Sequence, residues 1–197
     1  AATNLPRWKE VKVELKVQSS SGADGCRFQL RLTGGASAEA GVSVISLFPS
    51  ETWMGRKNGL RTDVAAWLNE TQPAFIRLPG GCYVEGTDLM TGGWFWKKTL
   101  GQIESRPGHM NDVWGYWTDD GLGMYEFLKM AEDTGAKPLL VVNSGCSTRG
   151  CVSGDDLKPF IQDALDAVEY VRAALAHLPR LCWLGALLSC WRWFSFS

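Results

Sequence analysis

Charge of either sign is in short surplus. Twenty Lys and Arg stand against 21 Asp and Glu in 197 residues, a formal net charge of -1. That balance lacks the basic face a polyanion-binding protein needs, so nucleic acid is not expected as a partner. No run of about 20 apolar residues occurs, so no membrane-spanning helix is expected either. None of the six cysteines forms a Cys-x-x-Cys pair, and neither histidine, His109 or His177, joins a pair of them. A zinc site is therefore not expected, and no metal or cofactor is called for. Six cysteines in a chain this long also lack the density of a small disulfide scaffold. Gly80-Gly81 could form a phosphate-cradling turn, but no GxGxxG or GxxxxGK word follows, so the signal for a nucleotide site is weak. The opening residues AATNLPRW hold neither a charged n-region nor an apolar h-region, so no signal peptide is visible.

What is present is a folded globular composition, 45% hydrophobic and 21% charged, with ten Trp. Indole packs in cores and also stacks on ligands, sugar rings above all, and composition leaves both uses open.

The hydrophobic pattern divides the chain. In VKVELKVQ (11–18), Val11, Val13, Leu15 and Val17 alternate with polar residues, which predicts a half-buried strand. RFQLRLT (27–33) alternates again, and residues 42–48 form a third β-type run. Three antiparallel strands with one polar face suggest part of a β-sandwich whose other strands lie outside these residues. From Pro49 the grammar changes. Leu60, Val64, Trp67 and Leu68 make a helical stripe, AFIRL (74–78) a short strand, and Met124, Phe127, Leu128 and Ala131 a second stripe. Thr118 or Asp119 is the expected cap of that helix, with Gly135 just past its end. PLLVVN (138–143) reads as a strand buried on both faces, and Asp155-Asp156 open a helix carrying Leu157, Ile161, Leu165 and Val168. The order helix, strand, helix, strand, helix predicts an α/β fold with parallel strands. After Glu169 the remaining 28 residues hold no acid.

Ligand sites of parallel α/β folds lie at the carboxyl ends of the strands. Two such ends are readable, Arg77 to Gly86 and Val142 to Gly145. Arg77 inside an apolar strand needs a partner, either a ligand to orient or a structural ion pair. Glu85 and Asp119-Asp120 are candidate acids of the kind glycoside cleavage uses in pairs, although Asp119 reads more simply as a helix cap.

The words SLFPSETW (46–53), NGLRTDVA (58–65), FIRLPGGCYVEG (75–86), RPGHMNDVWGYWTDDGLGMYEFL (106–128), AEDTGAKP (131–138) and VVNSG (141–145) carry a resemblance. Over about residues 8 to 172 the chain resembles the α-L-arabinofuranosidases of glycoside hydrolase family 51, in their plant and algal form. The resemblance implies a retaining exo-glycosidase acting on arabinose-containing cell-wall polysaccharides, secreted, with a (β/α)8 barrel and attached β-domains. It implies residues 1–48 as the end of a carbohydrate-binding-type sandwich, 49–172 as a partial barrel, and 173–197 as an aberrant hydrophobic tail outside the fold. Carried over by motif, the substrate-binding residues are Arg77 beneath the site, Cys82, Trp114 and Asn143. The family's acid/base glutamate follows Gly-Asn, and no Gly-Asn-Glu word occurs here, so no catalytic residue is assigned. Asn69-Glu70 follows Leu68 on a helix and is not that word; Asn69-Glu70-Thr71 is a glycosylation sequon that fits a secreted enzyme. Some 149 residues after the sandwich fall short of the about 250 of a full barrel. The expectation is therefore a fragment without turnover. Two alternatives stand beside it: a sugar-binding remnant using Trp94, Trp96 and Trp114 as platforms, or a misread gene product.

Overall fold

A computed structural model of the chain describes residues 9–16, 29–31, 33, 41–42, 44–176 and 187–188. The described elements run α1 (Thr62–Glu70), β1 (Phe75–Leu78), α2 (Cys82–Glu85), β2 (His109–Asn111), β3 (Tyr116–Thr118), α3 (Met124–Asp133), β4 (Lys137–Val142), β5 (Cys146–Ser147), β6 (Gly150–Cys151), α4 (Lys158–Ala176) and β7 (Leu187–Leu188). β1, β4 and β7 form a parallel sheet in that order, with Leu78 opposite Leu140 and Val142 opposite Leu188. α3 and α4 are the connections between successive strands, the repeating unit of an α/β fold. No closed barrel is present among the described residues.

α3 is buried along the stripe read from its sequence: Met124, Leu128 and Ala131 are fully buried and Phe127 nearly so. They meet Leu78, Leu140 and Val142 of the sheet, with Trp94 edge-on to Phe127 at 5.9 Å. Its start differs from the expectation. The helix begins after Gly123, where the Thr99 hydroxyl accepts the Met124 amide at 3.0 Å and Glu126 Oε2 accepts the Gly123 amide at 3.0 Å. Gly123 is there because a Cβ would lie 2.5 Å from the Thr99 carbonyl. Thr118 and Asp119 are engaged nearer home: their side-chain oxygens accept the amides of Asp120 and Gly121, which folds a turn before the helix. Gly135 does follow the end of α3, at φ +68°.

The other two helical stripes have the right period and the opposite environment. On α1, Val64 and Trp67 are exposed and Ala65 is the buried residue. On α4, Ile161, Leu165 and Val168 are exposed, while Ala167 and Val171 join the core. α4 is held by the 96–99 turn instead: Trp96 Nε1 donates to Asp163 at 2.8 Å, its ring tilts over Tyr170 at 5.6 Å, and Lys97 pairs with Asp163 and Asp166.

The strands expected at 11–18, 27–33 and 42–48 are not formed by their described residues (11–16, 29–31, 33, 42 and 44–48), which are exposed and unpaired as strands. An alternating segment has no cause to extend without a partner ladder and a second layer. Val17, Phe28 and Leu32 lie outside the described residues. The tail expectation also changes. α4 continues through residues 173–176, and Leu187–Leu188 occupies the sheet beside β4. The rest of 177–197 lies outside the described residues.

Candidate functional site

The carboxyl ends of β1 and β4 lie side by side because the two strands pair in parallel. β1 stops at Leu78, since Pro79 supplies no amide, and Gly80 at φ +136° turns the chain into α2. α2 carries Cys82, whose thiol is free and exposed. Arg77 Nη2 lies against Gly81, about an ordinary contact from where a side chain there would begin. Arg77 and Cys82 thus flank one turn.

The burial expected of Arg77 is not observed: it is exposed, and no ion pair to it exists among the described residues. The reason is the pleat. Ile76 and Leu78 face the core, so Phe75 and Arg77 face the opposite side of the sheet, which no described helix covers. A cation in water needs no partner.

Asn143 follows β4 directly. Its Oδ1 accepts the amides of Gly145 at 2.8 Å and Cys146 at 3.0 Å, and its Nδ2 donates to the Val84 carbonyl at 3.3 Å. The carboxamide therefore links the two strand-end loops. Trp114 sits at the turn of the β2–β3 hairpin, 65% exposed, its amide donated to Asn111 Oδ1. The hairpin meets α2 where the rings of Tyr83 and His109 lie 5.8 Å apart. Arg77, Cys82 and Asn143 are brought to one end of the sheet; Trp114 stands apart from them on the hairpin, whose His109 meets Tyr83. Trp94 and Trp96 are both 4% exposed and belong to the core, so neither is a sugar platform.

The candidate acids separate. Asp119 is exposed, while Asp120 is buried 2.8 Å from His109 Nδ1. They point into different surroundings and form no cleavage pair. Tyr83, next to this cluster, has its phenol pushed up to about 12, mainly by burial and then by the charge of Asp120. Asp112 is held below the usual carboxylate range: burial pushes it up, and the Thr87 hydroxyl and amide outweigh that by donating to it.

Three features escaped the sequence reading. Arg106, 3% exposed, donates to Glu126 at 2.9 and 3.1 Å and to the carbonyls of Gly101 and Asp120. It is a buried cation, and only its place in the RPGH word marked it. Arg56 is tied to Asp133, whose carbonyl also accepts Trp53 Nε1 at 3.2 Å. A disulfide joins Cys146 to Cys151 across the β5–β6 hairpin. Two cysteines flanking Ser-Thr-Arg-Gly were a readable signal for it.

The domain family described as "Alpha-L-arabinofuranosidase 1 domain" matches residues 67–178. α-L-Arabinofuranosidase 1 of Arabidopsis thaliana is 41% identical over 174 residues, covering 87% of this chain and 24% of the relative. The extracellular exo-α-L-arabinofuranosidase of Streptomyces chartreusis is 36% identical over 205 residues, covering 90% of this chain and 25% of the relative. An arabinose-bound α-L-arabinofuranosidase of family GH51 superposes with a TM-score of 0.60 at 38% identity, over 70% of this chain and 23% of the other. The chain thus spans about a quarter of the length of the relatives it matches.

Proposed function

From the premise that the chain belongs to the α-L-arabinofuranosidase domain family, we propose that it is the sugar-binding portion of a retaining exo-glycosidase that releases terminal, non-reducing α-L-arabinofuranosyl groups. Its substrates are arabinose-containing polysaccharides of the cell wall, and the complete enzyme is secreted. The observation that carries the reading is the convergence of Arg77, Cys82 and Asn143 at the carboxyl ends of two parallel strands, where such folds keep their sites. Arg77 is a guanidinium fork for sugar hydroxyls. Cys82 stands beside it on the α2 turn, its thiol exposed toward the sugar. Asn143 braces both loops, and the indole of Trp114 covers an apolar sugar face.

Double displacement needs two carboxyl groups about 5–5.5 Å apart, one as nucleophile and one as acid and then base. In this reading neither is among the residues of this sequence: no Gly-Asn-Glu word occurs, and of the adjacent acids Asp119 is exposed while Asp120 is buried against His109. The chain binds and orients arabinose without cleaving it. The test is titration of the purified chain with L-arabinose beside an assay on an aryl α-L-arabinofuranoside. Saturable binding weakened by Arg77→Ala, with no turnover above a heat-killed control, is the expected result. Absence of binding, or saturable turnover, would overturn it.

A further inference from the structure

We propose that the Cys146–Cys151 disulfide is a strut between the two strand-end loops, positioning the Cys82 side of the candidate site through the α2 turn. The bond closes a ring of six residues. So short a loop removes less entropy from the unfolded chain than a long one, and its effect on the fold as a whole falls at the low end of what disulfides contribute. Locally it matters more. The β5–β6 hairpin has two residues per strand, and a hairpin alone in water is marginal.

What the ring holds is specific. Its Thr148 amide donates to the Gly86 carbonyl at 2.9 Å, and the Gly86 amide donates to the Cys82 carbonyl at 2.9 Å. Gly86 ends α2 at φ +67° in a space without room for a side chain: a Cβ there would lie 2.3 Å from Gly92. The turn that carries Cys82 is therefore fixed from below by Gly92 and from the β4 side by Thr148. At the other foot of the ring, the Cys146 amide donates to Asn143, whose Nδ2 donates to Val84 of the same turn. The base of the loop is packed independently, since a Cβ on Gly145 would lie 2.7 Å from Leu157 and 2.9 Å from Val152. The disulfide thus acts on the tip that reaches α2, while the base stays anchored at the entrance to α4.

The sugar-binding consequence rests on the function proposed above; the mechanical claim does not. Reduction with dithiothreitol converts the disulfide to two thiols while the reagent closes to its own cyclic disulfide. Cys146→Ser, Cys151→Ser and the double variant remove the bond without reagent. Amide hydrogen exchange in the full chain is read in peptides covering residues 82–87 and, as control, 124–133. Exchange at 82–87 rises about fivefold, the factor given by loss of one ordinary hydrogen bond. The three variants behave alike, α3 does not change, and reoxidation of the reduced wild-type chain restores the slow rate. Faster exchange confined to 144–152, or no change at all, overturns the strut. If serine variants fail to fold, the cycle of reduction and reoxidation on wild-type protein decides by itself. In parallel, the dissociation constant for L-arabinose rises about fivefold on loss of the bond. An oxidised chain that does not bind arabinose counts against the functional reading and leaves the exchange data to judge the strut.

Discussion

Arg106 is the arginine that the fold cannot release. Its guanidinium is buried, paired with Glu126, and bonded to the carbonyls of Gly101 and Asp120. Removing one partner of a buried pair leaves the other uncompensated and costs about 3–5 kcal/mol. Arg106→Ala should therefore lower the urea midpoint strongly, whereas Arg77→Ala, at an exposed position, should shift stability by no more than about 0.5 kcal/mol. Equal effects of the two would refute the assignment. The control must be chosen with care. Arg56, although partly exposed, clasps the buried Asp133, so Lys158, 74% exposed, is the neutral comparison. Tyr83 offers a pH test. Its phenol ionises at about 12 in the fold against 10.0 unperturbed. A pKa raised by folding contributes stability that is whole below pH 10 and is lost as pH rises through 12. The melting temperature should fall across that window, and Tyr83→Phe should flatten the fall. An unchanged slope in the variant would show that other groups cause it.

Among the helices, α3 was legible because both halves of its environment are in hand: the apolar stripe in the sequence and the β1–β4 sheet to receive it. α1 and α4 show the limit of periodicity. Val64, Trp67, Ile161, Leu165 and Val168 announce an apolar face, and a face says nothing about whether a partner exists to cover it. The contacts that do hold α4 run through Ala167, Val171 and the Trp96–Asp163 bond, which small residues and a lone indole do not advertise. The same holds for 11–18, where alternation was clear and the described residues 11–16 form no strand, and for Arg77, whose strand was legible while the open side of the sheet was not. The strand-end placement of Cys82 and Asn143 followed from the parallel pairing, but the disulfide and the double link of Asn143 are matters of loop geometry. The asymmetry of the helices is measurable. Leu128→Ala in α3 should cost about 2–5 kcal/mol by urea unfolding, since it opens a cavity in a full core. Leu165→Glu on α4 should stay within about 0.5 kcal/mol and raise solubility, because it replaces exposed apolar surface with charge. A large loss in Leu165→Glu would mean that this face is covered in solution.

At the scale of the whole molecule, the question is what the last 25 residues contribute to a sheet of three strands. Composition treated them as foreign to the fold: no acid, three Trp, and no period. The sheet assigns part of them a place. The middle strand β4 pairs with β1 through residues 137–140 on one side, and its Val141 and Val142 pair with Leu187 and Leu188 on the other. Deleting everything after Ala176 turns β4 into an edge strand and returns the backbone of Val141 and Val142 to water on that side. Two paired residues carry one or two ladder bonds, each worth about 1 kcal/mol net. The loss is thus about 1–2 kcal/mol, or a fall of several degrees in the melting temperature of a domain this size. Solubility pulls the other way, because Trp183, Trp191, Trp193 and Phe194 leave with the strand. The two effects separate in one experiment. Chains ending at Ala176 and at Ser197 are compared by thermal unfolding at low concentration and by light scattering at high concentration. The shorter chain should melt earlier and scatter less. If it melts at the same temperature, β7 contributes nothing to the stability of the sheet.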